Sequence, residues 1–299
     1  MTRTTPKRAV DLEQLFPELV PLRRDAVRLH PRAGSPSAAE SSVGGPPLWP
    51  ADEPWPLCPS TSHPGEWGGP AAEGPVPLVP VVQIHRRDVP QLAFPAGTDL
   101  LQVLWCPFII GRCPTATPLV RWRSSEEVGP ALASVPPTVG TAPKDSIPAP
   151  CVLHPEPVVD YPSWDMPEGL GPELSVRMEE LRARTGLRYG YHLAEAPGIK
   201  LGGYPGWTQE PCWPDCPTCG RTMEHLLTVS SWEYDGQSYR TWLPLEDKDD
   251  ETGEERRDAD GGRGAHSPAG LMIGDAGGVY VFECRSCPDR PVDHHWDCS

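Results

Sequence analysis

The chain has 299 residues, enough for one large or two ordinary domains with a buried core. Its formal charge of -15 excludes a basic stripe that would gather a phosphate backbone, so nucleic acid is disfavoured as a partner and a basic polypeptide favoured. Forty-one prolines and 29 glycines against four phenylalanines exclude a helical bundle, and with 11 tryptophans they imply short strands, many turns and a core leaning on Trp, Leu and Val.

In chain order, Val10 to Leu19 reads as a short helix broken by Pro17 and Pro21, and Ala26 to His30 alternates as an edge strand would. The polar start, Met1 to Gln14, does not read as a signal peptide. Val43 to Pro50, V-G-G-P-P-L-W-P, opens a proline-rich coil that contains Trp55, Cys58 and Trp67. Two strands are expected next, Leu78 to His85 and Leu100 to Cys106, the second apolar enough to be buried on both faces. The most apolar window, Leu100 to Ile110, is far short of the roughly 20 residues that cross a bilayer, so no membrane segment is expected and the reading is cytoplasmic.

From Gly129 to Pro172 prolines recur every few residues, which argues against helix and central strand and marks a long crossing. Pro172 to Thr185 is the one well-formed helix, with Leu174, Met178 and Leu181 on one face and Gly186 as the stop. Met223 to Glu233 and Ser238 to Leu243 are expected to form a hairpin around Asp235-Gly236, Leu245 to Gly264 a solvated mobile loop, and Gly278 to Cys284 the last strand, followed by a flexible tail with His294 and His295. The expected organisation is an N-terminal sheet unit over 1–128, a proline-rich crossing over 129–172 and a C-terminal zinc-containing sheet unit over 173–299, the whole forming an α+β, β-dominated fold of two antiparallel sheet units with few helices.

The strongest chemical signal is a pair of C-x-x-C knuckles, Cys216/Cys219 and Cys284/Cys287, separated by strands. Each tight turn points two thiolates at one ion, so the pattern predicts a closed, tetrahedral, structural Zn2+ site. Closed coordination leaves no position for substrate. In small zinc peptides it contributes roughly 10 kcal/mol or more to folding. The alternative is four buried thiols packed as small hydrophobes. Cys212, His294, His295 and Cys298 are reserve ligands. Ten cysteines are too few in this length for a disulfide scaffold.

Val43 to Trp49 (V-G-G-P-P-L-W) matches Leu201 to Trp207 (L-G-G-Y-P-G-W) at four of seven positions, and each is followed by an apolar strand and then by a strand that ends in cysteine. One reading is a duplicated unit of which only the C-terminal copy keeps its knuckles, and the alternative is that Gly-Gly-x-Pro recurs by chance in a Gly/Pro-rich chain. The glycine pairs serve as tight turns for Trp49 and Trp207 rather than as anion nests. Asp275 in G-D-A-G-G is a turn residue before it is a catalytic one. Gln83 and Gln209 either bind a peptide backbone or staple a loop, and with Trp49 and Trp207 they are the candidate binding residues. No motif for a nucleophile is present.

Five segments carry a resemblance to a known family: Ser41 to Pro50, Pro77 to Ile84, Lys200 to Gln209, Cys216 to Met223 and Gly274 to Cys284. Together they resemble the YwqG-like family of uncharacterised bacterial proteins, which is similar to a eukaryotic group around programmed cell death protein two, a chaperone for a ribosomal protein. The resemblance implies a β-rich fold used for protein contacts, with no catalytic residues to carry over. The functional expectation is a protein-interaction or chaperone-like module that holds a basic polypeptide. The alternatives are a hydrolase or transferase with a cleft between the two units, and an immunity or antitoxin-type binder.

Overall fold

The computed structural model describes residues 2–65, 68–110, 113, 117–235, 237–256 and 264–298. Trp67 and the Gly236 of the expected hairpin turn lie outside them. In chain order the strands are β1 (Arg24–Arg28), β2 (Arg32–Ala33), β3 (Ser42–Val43), β4 (Leu57–Cys58), β5 (Ser62–His63), β6 (Ala72–Glu73), β7 (Val76–Pro77), β8 (Val79–His85), β9 (Leu100–Trp105), β10 (Leu119–Arg123), β11 (Cys151–Val152), β12 (Glu156–Asp160), β13 (Lys200–Gly202), β14 (Glu224–Ser230), β15 (Gly278–Glu283) and β16 (Val292–Asp297). The α-helices among the described residues are α1 (Leu12–Leu15), α2 (Gly171–Thr185), α3 (Tyr189–His192) and α4 (Tyr239–Trp242). None of them is long and apolar enough to cross a membrane.

The chain is β-dominated and its strands pair antiparallel. One six-stranded sheet runs β10-β9-β8-β3-β11-β2 and the other β16-β15-β14-β13-β1-β12. Written this way, the orders correspond position by position. β3 and β13 each lead into a Gly-Gly turn, β8 and β14 carry the long strand after it, and β9 and β15 precede a cysteine. The irregularities correspond too, for β8 slips register against β9 just before Val82, and β14 slips against β15 just before Leu227. Val82 and Leu227 pair with Val43 and Leu201, the residues preceding the two glycine pairs.

The segments 1–128 and 173–299 supply most, but not all, of these two sheets. β1 lies beside β13 in the C-terminal sheet, and β11 lies beside β3 in the N-terminal one. Each is followed by a strand that returns to the other sheet's edge, β2 pairing with β11 and β12 with β1. One apolar cluster contains side chains of both sheets, among them Val43, Val82, Leu101, Leu201, Leu227 and Val281.

β9 is buried along its whole length, as its continuous run of Leu, Val and Trp requires. Pro80 is tolerated within β8 because it falls at the register slip, where the ladder lacks a regular donor. α2 starts with proline in its first turn, buries Leu174 and Leu181, packs the half-buried Met178 beside them and stops at Gly186 with φ 75°.

Several expectations are corrected. β1 is an interior strand because β12 covers the edge it would otherwise expose. The proline-rich stretch does contain strands: β11 is short enough to fit between Pro150 and Pro155 in the sheet interior, and Pro157 sits in β12 at the edge, where a missing N–H costs little. The hairpin over Met223 to Leu243 is absent, since β14 pairs with β13 and β15 while Ser238 to Leu243 holds α4. The tail with His294 and His295 is β16, the sheet's last strand. Within the acidic loop, Asp247 is fixed by ion pairs to Arg3 and Arg32, and residues 257–263 lie outside those described.

Candidate functional site

The four knuckle cysteines come together. Cys216 and Cys219 stand in the turn before β14, where the Gly220 N–H donates to the Cys216 carbonyl at 2.8 Å. Gly220 adopts φ 68°, a conformation that a glycine supplies without strain. Cys284 directly follows β15 and Cys287 stands in the next turn. The Sγ atoms of Cys216 and Cys287 are 3.8 Å apart and those of Cys219 and Cys284 3.6 Å. Ligands 2.3 Å from a tetrahedral centre stand about 3.8 Å apart, whereas a disulfide needs about 2.05 Å. The cluster can therefore hold a metal ion.

The thiols differ in how readily they ionise. Burial opposes ionisation of Cys216, but the N–H groups of Cys219 and Thr218 and the neighbouring thiols bring it down to about 7. Burial and the neighbouring thiols push Cys287 up to about 12. The cluster rests on an aromatic floor of Trp207, Tyr280 and Phe282, with Trp213 against it, and of its cysteines only Cys219 is exposed. Cys212 is exposed, Cys298 faces Gln209, and His295 packs on Trp207, so none of the reserve ligands enters it, His294 included.

A second group, absent from the sequence expectation, lies in the N-terminal sheet: Cys58, His63, Cys106 and Cys113, with one ligand atom of each within 4.8 Å of the others. The N-terminal half has no C-x-x-C knuckle, yet it carries a cluster of its own. Cys58 and His63 are presented by two short ladders, β4 with β7 and β5 with β6. Cys106 follows β9 and Cys113 the next turn. All four are buried. Burial lowers the His63 pKa, opposed by the Ala72 main chain, which makes no hydrogen bond of ordinary geometry to the ring. The spacings C-x4-H and C-x6-C hide the group from a search for knuckles. The available signal was Cys106 closing its strand as Cys284 does.

The candidate binding residues divide. Trp49 and Gln83 are interior. Gln83 Oε1 accepts from the Leu48 N–H at 2.7 Å and its Nε2 donates to the carbonyls of Ala38 and Glu40, so it staples the loop. Gln102 Nε2 donates to the Leu48 carbonyl, and Arg123 Nε donates to Gln102 Oε1. The register places Thr228, Tyr280 and Asp297 where Gln83, Gln102 and Arg123 stand. Their bonds correspond as well: Thr228 Oγ1 donates to the Pro205 carbonyl, and Tyr280 Oη reaches both the Gly206 carbonyl and Asp297. Each set fixes the loop before a tryptophan, Trp49 or Trp207. Arg123 also pairs with Glu53 and lies over Trp49, which removes it from any exposed arginine patch. Gln209 is exposed and its main-chain N–H donates to Asp297. Asp275 has φ 57° in the turn before β15, as a turn residue does.

Trp207 lines a cleft of about 1150 Å³ together with Trp164, Tyr191, Trp232, Tyr234 and Glu195. Trp164 and Tyr191 are about half exposed (51% and 49%), and the Arg188 guanidinium lies 5.7 Å from the Tyr191 ring centroid. At the cleft Glu195 accepts from Ser163 Oγ through one carboxylate oxygen, and the other is buried with no hydrogen-bond partner. Burial raises its pKa to about 7, although Lys200 opposes this. Lys200 itself is locked in a buried ion pair with Asp160 at 2.7 Å. A further cleft of about 1030 Å³ carries charges of both signs, and Arg8 there is committed to the carbonyls of Leu193, Val159 and Ala194.

Compared with protein-family models and with curated proteins, the chain finds no match.

Proposed function

We propose that the protein is a cytoplasmic protein-interaction or chaperone-like module that holds a basic segment of polypeptide in the aromatic cleft, with a structural Zn2+ in the four-cysteine cluster. The observation that carries this reading is Glu195, a carboxylate with one buried oxygen lacking a donor, set at a cleft with exposed Trp164 and Tyr191. A lysine or arginine side chain supplies both the donor and a cation for the aromatic faces. The net charge of -15 favours the approach of such a partner. The likeness of the Gly-Gly and cysteine segments to the YwqG-like family agrees with a role in protein contacts, and the matching strand orders favour a duplicated unit. The closed four-thiolate geometry suits support of the cleft wall through Trp207 and Trp213 rather than catalysis.

The test is affinity purification at low salt with mass spectrometry of bound proteins, followed by titration of the full chain with a Lys/Arg-rich peptide. Binding is expected to weaken with salt, to strengthen as pH rises through 7 while Glu195 ionises, and to lose that pH dependence in Glu195→Gln. Recovery of no protein, or peptide binding indifferent to salt and to Glu195→Gln, counts against the reading.

A further inference from the structure

We propose that Cys58, His63, Cys106 and Cys113 form a second zinc site, a closed Cys3His centre that secures the N-terminal sheet as the four-cysteine cluster secures the C-terminal one. Three observations carry this independently. The first is distance. Cys58 and Cys113 have their Sγ atoms 3.7 Å apart, near the edge of about 3.8 Å that a tetrahedron with 2.3 Å bonds defines. All four ligand atoms lie within 4.8 Å of one another.

The second is His63. Its side chain is fully buried, packed against Phe108 with ring centroids 5.3 Å apart, and neither ring nitrogen has a hydrogen-bond partner. A buried imidazole with no bond at either nitrogen is rare in a native interior. A metal supplies a partner for one of the two nitrogens.

The third is place. Cys58 and His63 precede β8 as Cys216 and Cys219 precede β14, and Cys106 and Cys113 follow β9 as Cys284 and Cys287 follow β15. The register makes Cys106 and Cys284 counterparts, each four residues beyond the corresponding residues Gln102 and Tyr280. Two differently spaced sets of ligands thus occupy the same position on corresponding sheets. Three thiolates and an imidazole in a buried site are a donor set for Zn2+, not for Mg2+ or Ca2+. With four protein ligands and no exposed one, the site has no position for substrate, and its role is structural.

Elemental analysis of the purified full chain is expected to give two zinc ions per chain. The double variant Cys58→Ser, Cys113→Ser should give one, and so should Cys284→Ser, Cys287→Ser. Because the first variant could fail to fold, His63→Cys supplies a second measurement that keeps four ligands. Loaded with Co2+ it should still bind two ions, while the visible absorption of the Cys3His centre moves to that of the four-cysteine centre. One zinc per wild-type chain overturns the proposal. So do two zinc ions retained in the folded Cys58/Cys113 variant, an unchanged cobalt spectrum in His63→Cys, or a thiol count in denaturant that is short by two and signals a Cys58–Cys113 disulfide.

Discussion

The N-terminal and C-terminal sheets place the same parts in the same order and build them from different chemistry. In one, amides and a guanidinium (Gln83, Gln102, Arg123) hold the loop before Trp49, and in the other a hydroxyl, a phenol and a carboxylate (Thr228, Tyr280, Asp297) hold the loop before Trp207. One cysteine cluster is wholly buried, while the other exposes Cys219. The comparison teaches that the fold requires a donor or acceptor at given sheet positions without requiring a particular side chain. The two clusters differ in ligand set and also in exposure.

The largest effect that tests this comparison is metal removal. A chelator added to the zinc-loaded full chain should release metal in two steps, the first from the cluster with Cys219 at the surface, and cooperative unfolding should be lost after the second. Release followed with a colorimetric zinc indicator checks it, and a single uniform step would break the contrast.

Next in size is the buried pair Lys200–Asp160, both members almost inaccessible to solvent. Asp160→Asn leaves the ammonium buried without its counter-charge and should cost about 3–5 kcal/mol in denaturant unfolding. The register puts Ser42 at the position of Lys200, and its hydroxyl is buried without a partner. Ser42→Ala should therefore cost roughly 0.5 kcal/mol or less. Equal costs for the two would mean that the ion pair is not an addition peculiar to the C-terminal sheet.

A smaller difference is expected between the two staples. Gln83→Leu strands the Leu48 N–H and the carbonyls of Ala38 and Glu40, at about 1–3 kcal/mol for a buried group left unpaired. Thr228→Val removes one bond to the Pro205 carbonyl and should cost less, about 1 kcal/mol. Parallel urea titrations of the two variants decide the order.

A pH slope tests the cleft wall, which belongs to the C-terminal sheet alone. The folded chain keeps the Glu195 proton up to about 7, against an ordinary value of 4.5. Between these values the folded state holds more of that proton than the unfolded one, so this group's contribution to stability is present below 4.5 and is lost as pH rises to 7. Glu195→Gln removes the loss, and its stability relative to the wild type should rise from pH 4.5 to 7. A flat difference would place Glu195 in solvent.

Much of this was legible in the residues. The β-dominated class followed from proline, glycine and tryptophan content, α2 from its apolar spacing and Gly186, and the four-cysteine cluster from two tight turns whose geometry is encoded within four residues each. The N-terminal cluster was not legible, because C-x4-H and C-x6-C are not local turn motifs and their ligands converge only through sheet pairing. β11 and β16 were missed for a related reason: Cys151–Val152 and V-D-H-H-W-D have little strand pattern of their own and are strands because a neighbour's edge requires a partner. The surroundings of Gly44-Gly45 and Gly202-Gly203 agree with a conformational role for the glycine pairs, although Gly202 itself ends β13. A Cβ at Gly44 would strike the Pro148 carbonyl and one at Gly203 the Asp160 carboxylate, and both residues have positive φ.

The placement of β1 also bears on the birth of the chain. Arg28 must find Lys200, so the first long strand to be made waits for a partner made about 170 residues later, roughly ten to thirty seconds at bacterial or faster eukaryotic rates of elongation. During that interval β1 gains β12 on one edge once Glu156–Asp160 emerges and keeps its other edge open until β13 is made, and the N-terminal sheet lacks β11 until Cys151 and Val152 emerge. Whatever shields nascent strands is thus needed longest at Arg24–Arg28, and a stall before Cys151 leaves a fragment with open edges on both incomplete sheets.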